Sequence, residues 1–229
     1  MSYGIIAVVP ASLRPASCLS TVVLLLALAV SACAPVGPGT AATTALTAPP
    51  RLSAATTAPP VWQVGDRWVF EWTSGGADGI KTVSVIEPHA IGGVPYSVVR
   101  IGDLDHYYTA QLHWAFAVRD SKVEARMIPP KPWFVWPLEV GMGWEHRGSF
   151  EDQQGKVPSL DTFRAVGIES VAVPAGRFQA LRIVCEGQGG ETNEYWYAHE
   201  VQWYVRWVGR RADFSFEERL RSYEPAPRR

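Results

Sequence analysis

Cysteine is scarce in this chain of 229 residues: there are three, at positions 18, 33 and 185. If the residues before Cys33 are removed as an export signal and Cys33 itself is modified, one thiol remains. No internal disulfide can then form, and stability has to come from packing. An excess of either charge is also missing. Lys and Arg number 21 against 22 Asp and Glu, and since Arg14 is the one charged residue before Cys33, the rest carries 20 basic and 22 acidic groups, a net of −2. That balance excludes a protein held to nucleic acid or anionic lipid by charge alone. Long apolar runs are absent too. The stretch from Thr21 to Ala32 is uncharged but only about a dozen residues long, too short to span a bilayer and of the length of a secretory h-region.

Catalytic motifs are equally sparse. The sequence has no Gly-x-Ser-x-Gly elbow, no Gly-x-x-x-x-Gly-Lys phosphate loop and no Gly-x-Gly-x-x-Gly turn. Cys185 shares a strand face with Leu181 and Ile183 in "ALRIVCEG" and reads as a buried small hydrophobe. "HEVQW" at 199–203 puts Trp203 where a zinc protease needs its second histidine, and does so in strand context. His106 and His113 fall seven apart on one expected strand, 105–118, and so point to opposite faces. Glu145 with His146, and Asp103, Asp105 and His106, read as solvated turns. The expectation is a protein with no catalytic or metal-binding constellation and no cofactor.

What is present begins at "LLLALAVSAC". Val30-Ser31-Ala32-Cys33 resembles the lipobox of bacterial lipoproteins, a branched apolar residue and two small ones before cysteine. The resemblance implies a signal peptide over 1–32 and a diacylglycerol thioether on Cys33, which becomes the first residue. Ala34, where inner-membrane retention in enterobacteria uses Asp, implies the outer membrane, facing the periplasm, in a Gram-negative host. Residues 34–60 hold six Pro, six Thr and eight Ala with one charge and no aromatic, a composition that cannot bury enough surface to order itself. With Cys33 they read as a tether over 33–60, roughly 30 Å long as a coil and about 80 Å as polyproline II.

From Val61 to the end the pattern changes. All ten Trp lie there, with two-residue alternation and no sustained helical period. This region, 61–229, is expected to be a single all-β domain, an antiparallel barrel, half-barrel or sandwich. In "DRWVFEWT" the residues Trp68, Phe70 and Trp72 share one face. "ADGI" at 77–80 is expected to turn the first hairpin, and Gly92-Gly93 another. "VGDRW" at 64–68 is echoed by "VGMGW" at 140–144. The echo fits a duplicated sheet half or two similar strand starts, and since the flanking residues do not align, the second reading is preferred.

"VGIESVAVPAGRFQALRIVCEG" and "NEYWYAHEVQWYVRWVGRRADFSFEERLRSYEP" resemble a family of uncharacterised bacterial envelope proteins. Val171, Val173, Pro174, Ala175, Gly176, Phe178, Trp196, Tyr197, Ala198, Val201, Ser222 and Tyr223 carry the pattern. Gln202 stands where the family has glycine, and His199 where it has proline. The resemblance implies an all-β fold and no particular reaction. By its residues, "VPAGRF" is a turn between two strands, with Pro174 fixing φ and Gly176 at the exit.

Two aromatic stretches are the candidate binding surface. In "PPKPWFVWPLEVGMGW" prolines place Trp133, Phe134 and Trp136 on an extended loop, either plugging the core or lining a groove. In "WYVRWVGRR" Trp203, Tyr204, Arg206 and Trp207 alternate, with Arg206 expected on Tyr204's face. The expected function is a non-enzymatic, lipid-anchored envelope protein binding an apolar ligand or an envelope partner; the alternative is a structural lipoprotein of an envelope complex.

Overall fold

The structure is a computed structural model and describes residues 55–56 and 58–227. The signal sequence, Cys33 and the tether up to residue 54 lie outside the described residues. Fourteen strands follow in order: β1 (Ala55–Thr56), β2 (Arg67–Ser74), β3 (Ala77–Ile91), β4 (Val94–Ile101), β5 (Leu104–Tyr108), β6 (Trp114–Arg119) and β7 (Lys122–Lys131), then β8 (Leu138–Glu139), β9 (Gly143–Asp152), β10 (Gly155–Val173), β11 (Gly176–Gly187), β12 (Thr192–Ala198), β13 (Trp203–Arg211) and β14 (Phe214–Glu224). β1 pairs with β8 in a small separate sheet, and the other twelve close into an antiparallel barrel. Closure leaves the barrel no unpaired edge. Ala55, in the stretch read from composition as a tether, pairs with Glu139 of β8.

The barrel consists of two six-stranded meanders joined end to end. β2 to β7 form one and β9 to β14 the other; β7 closes on β9 and β14 on β2. Each meander starts with the same hydrogen-bonded turn. Gly65 N–H donates to Val85 O and Val85 N–H to Asp66 O, both at 2.9 Å; Gly141 N–H donates to Ala165 O and Ala165 N–H to Met142 O, both at 2.8 Å. The two glycines have φ of +100° and +87°, which a side chain would resist. Further along, both meanders carry a bulge that leaves one residue unpaired on the fifth strand, Ala115 and Val205. Before each bulge the connecting turn holds a left-handed residue, Leu112 at φ 59° and Gln202 at φ 57°. The "VG" echo thus marks a repeated sheet half, correcting the preference for two unrelated strand starts. Its alignment is lost in the sequence because the second meander has a longer β10 and other side chains at matching places.

Two further expectations change. The first hairpin turns at Gly75-Gly76, not at Asp78-Gly79: a type I′ turn needs positive φ at both central residues, and these glycines supply +57° and +84°. Gly79 instead lies opposite Trp72, where an added Cβ would stand 2.8 Å from the indole. The expected strand 105–118 is two strands, β5 and β6, around the turn at 109–113, so His106 and His113 are not on one strand. Residues 199–201, between β12 and β13, form a 3-10 turn. The Gly92-Gly93 hairpin is present, and Val173 pairs with Gly176 across Pro174-Ala175 as the "VPAG" turn requires.

Inward positions carry large side chains. Trp68, Phe70, Phe163, Ile183, Tyr204 and Leu220 are almost wholly buried, so the interior is a packed core. The outward face of β11 to β14 and β2 carries ion pairs: Arg182 to Glu194 at 2.6 Å, Arg206 to Glu217 at 2.6 Å, and Arg219 to Glu71. A charged outward band is the inverse of the apolar girdle of a lipid-facing barrel, and it suits water.

Candidate functional site: an aromatic cleft at one end of the barrel

The cleft forms where matching pieces of the two meanders converge. The chain before β2 brings Pro60 and Trp62, and the loop before β8 brings Trp133, Phe134 and Trp136. The two turns with left-handed residues bring Leu112 and Gln202, next to Tyr108, Tyr197 and Trp203. Prolines shape the loop, since Pro132 and Pro137 offer no N–H to continue β7 or extend β8.

Trp62 is the centre of the packing. Its ring lies 4.6 Å from Trp203 and 5.3 Å from Tyr108, and its Nε1–H donates to Gln202 O at 3.2 Å. Trp68 beneath it donates to Val201 O at 2.7 Å, which fixes the 3-10 turn. On the other wall, Tyr197 contacts Phe134 at 5.1 Å and Trp136 at 5.7 Å. The space in which a water-sized sphere can centre is about 10 Å³, room for one water.

Trp136 Nε1 and Tyr197 Oη are buried and have no hydrogen-bond partner among the described residues, whereas Trp203 hydrogen-bonds the Tyr204 phenol. Burial, with a smaller contribution from the Glu200 charge, holds the Tyr197 phenol protonated far above its usual range, so it stays a neutral donor. Among the described residues no charged side chain lines the cleft. An unsatisfied buried donor costs about 1–3 kcal/mol, so an acceptor brought here would recover stability.

The candidate residues from the sequence divide three ways. Trp133, Phe134, Trp136 and Trp203 meet in the cleft. Tyr204 and Trp207 are only 2% and 4% exposed and lie deeper in the barrel, around the ammonium of Lys81, which pairs with Glu218. Arg206 is not on Tyr204's face, as the sequence had suggested. The bulge at Val205 shifts the alternation by one, so Arg206 faces outward and stacks 4.6 Å from Trp196. Cys33 lies outside the described residues. Trp62, Tyr108, Leu112, Tyr197 and Gln202 were not singled out from the sequence. The clusters "HYY" and "YWYA" hinted at two of them, Gln202 stands where the resembled family has the glycine that suits its φ of 57°, and nothing marked Leu112.

A second polar cluster lies inside the barrel. Asp161 receives Lys131 Nζ at 2.8 Å and Ser159 Oγ–H at 2.8 Å, with His146 Nδ1 3.5 Å away. Burial alone would raise the Asp161 pKa, but His146, Lys131 and Ser159 outweigh it and hold it at about 2. The neighbouring Cys185 thiol is pushed up to about 12 by burial, so it is protonated and a poor nucleophile. His106 is lowered to about 4 by burial and by the Lys81 charge, and its Nδ1 accepts Trp114 Nε1–H at 3.2 Å. Among the described residues no three of His, Cys, Asp and Glu stand together as a metal ion would require.

No known family and no curated protein matches the chain. Several solved structures share part of its course. One is a protein described as a lipoprotein from Parabacteroides distasonis, 11% identical, with a TM-score of 0.38 over 73% of this chain and 97% of the other. Another, described as exported and with a YmcC-like fold, is from Bacteroides fragilis: 12% identical, TM-score 0.40, covering 74% and 99%. A third is the hypothetical lipoprotein YmcC from Escherichia coli, 8% identical, TM-score 0.35, covering 70% and 85%. Overlap of this extent assigns the chain neither an activity nor a location.

Proposed function

We propose that this chain is a lipid-anchored protein of the cell envelope that binds an envelope partner at the cleft end of its barrel and catalyses no reaction. The anchor is the thioether at Cys33, within the lipobox pattern Val30 to Cys33. With Ala34 following, the membrane is the outer one, and the barrel faces the periplasm. The observation that carries the binding role is the pair of buried polar atoms without a hydrogen-bond partner among the described residues, Trp136 Nε1 and Tyr197 Oη, on residues that line one aromatic cleft. Buried polar groups in proteins are ordinarily satisfied, and exceptions gather where something else binds.

A partner is favoured over an apolar ligand carried inside. The positions that a carrier would leave open hold Trp68, Phe70, Phe163 and Tyr204. Two measurements test the reading. Replacing Cys33→Ala should release the protein from the membrane fraction; if the variant still sediments with membranes, lipidation is not the anchor. A photo-cross-linker at position 136 should give one discrete adduct in cells, absent when the linker stands at Lys122, at the opposite end of β7 from this loop. Equal adducts from both positions would remove the cleft from the binding role.

A further inference from the structure

We infer that residues 58–64 form a strap whose Trp62 plugs the cleft and lifts out while the barrel stays folded, so that the strap controls access to the site; the controlling role rests on the partner reading above. The two meanders supply the comparison. Each begins with the same turn, Asp66 N–H to Gln63 O at 2.9 Å and Met142 N–H to Glu139 O at 3.3 Å, and the residue before each turn is a buried apolar plug, Trp62 in one and Leu138 in the other. Leu138 lies in a loop held at both ends, by β7 and by β9. Trp62 lies on a stretch that joins the barrel wall at one end, through β2.

Little else holds that stretch. Among the described residues no backbone hydrogen bond ties 58–62 to the rest of the fold. Val61 and Val64 are 73% and 48% exposed, against 9% for Trp62. What docks the strap is the Trp62 ring against Trp203 and Tyr108, its Nε1–H bond to Gln202 O, and the two-residue pairing of β1 with β8. The hinge is firm, since the Asp66 carboxylate accepts from Gln63 N–H and from Ala226 N–H, both at 2.8 Å. Lifting the strap therefore breaks one indole bond and one short pairing and leaves every rung of the barrel ladder in place. Segments tied this lightly open at a lower free energy than the core. With the strap docked the cleft has room for one water. With it lifted, the volume of an indole opens beside Trp203 and Tyr108, and a partner that fills it selects the lifted state.

Two neighbouring indoles test this. Trp62 and Trp68 donate to adjacent carbonyls of one turn, Gln202 O and Val201 O, but Trp68 stands on β2. In the exported chain carrying Cys33→Ala, hydrogen exchange followed by NMR should be about a hundredfold faster at Trp62 Nε1–H than at Trp68 Nε1–H. Ala55→Cys with Glu139→Cys, at paired positions of β1 and β8, locks the strap when oxidised. Oxidation should slow exchange at Trp62 by about tenfold, and reduction should restore it. Equal rates at the two indoles, or a Trp62 rate that the disulfide does not change, overturn the inference. The oxidised pair should also cut the adduct at position 136 by about fivefold, and an undiminished adduct overturns the controlling role. If position 136 gives no adduct in any variant, the partner reading fails, while the exchange rates still decide the strap.

Discussion

Lys81 and Asp161 occupy the same place in the two meanders with opposite charge. Lys81 lies opposite Phe70 on β2 and Asp161 opposite His146 on β9, each two residues before the core position opposite a tryptophan, Val83 with Trp68 and Phe163 with Trp144. Each finds its counter-ion on the last strand of a meander, Glu218 on β14 for Lys81 and Lys131 on β7 for Asp161. The repeat thus keeps a buried ion pair in each half and exchanges its polarity.

Removing one member of such a pair strands the other. Asp161→Asn, Lys81→Met and Glu218→Gln should each cost about 3–5 kcal/mol, while Lys81→Met combined with Glu218→Gln should cost less than the sum of those two single changes. Urea unfolding of the four variants measures this. Additive losses would mean that the partners do not depend on each other.

Stability should fall in mild acid because of His106. Its folded pKa of about 4 lies below the ordinary 6.5, so the unfolded chain takes up a proton first as pH drops. The contribution is fully present above about pH 6.5 and lost by about pH 4, at most about 3 kcal/mol. Asp161, held at about 2, adds a second loss below about pH 4. His106→Gln should flatten the unfolding curve between pH 6.5 and 4 and leave the lower window in place. An unchanged slope would assign the upper loss to other groups.

Tyr197→Phe should be neutral or stabilising by up to about 1 kcal/mol, which is unusual for a buried tyrosine. Its hydroxyl is buried with no partner, so its removal breaks no bond. Thermal unfolding without any ligand is the measurement, and a loss above about 1 kcal/mol would reveal a bond to that oxygen.

Gly79→Val should destabilise by about 1–3 kcal/mol, since even a Cβ would press on the Trp72 ring at 2.8 Å. Trp72→Ala in the same chain should recover part of the loss. If Gly79→Val alone is silent, the indole moves aside freely.

How far the sequence could be read is clear from particular residues. Alternation in "DRWVFEWT" placed Trp68 and Phe70 inward, because a pleated strand allows nothing else once one face is apolar. The Asp78-Gly79 turn was misread because local chemistry scores that dipeptide well, while the choice of Gly75-Gly76 depends on the register of β2 with β3. Arg206 was misplaced because a bulge depends on the neighbouring strand. From the sequence of β13 alone nothing distinguishes Val205 as unpaired. The cleft was half legible: "PWFVW" announced aromatics on a rigid loop, but Trp62 and Tyr197 come from distant parts of the chain.

The sequence by itself determined that the protein is built of strands, that its acids and bases balance, and that its aromatics follow a tether-like opening. Each of these depends on composition and on a two-residue period, which neighbours along the chain suffice to set. Only the tertiary structure decided that the two meanders close on each other and that their buried charges have opposite signs. It also decided that Trp136 and Tyr197 meet in one cleft with buried polar atoms. Those outcomes depend on which strands meet and in what register, and register is fixed by contacts between residues far apart in the chain.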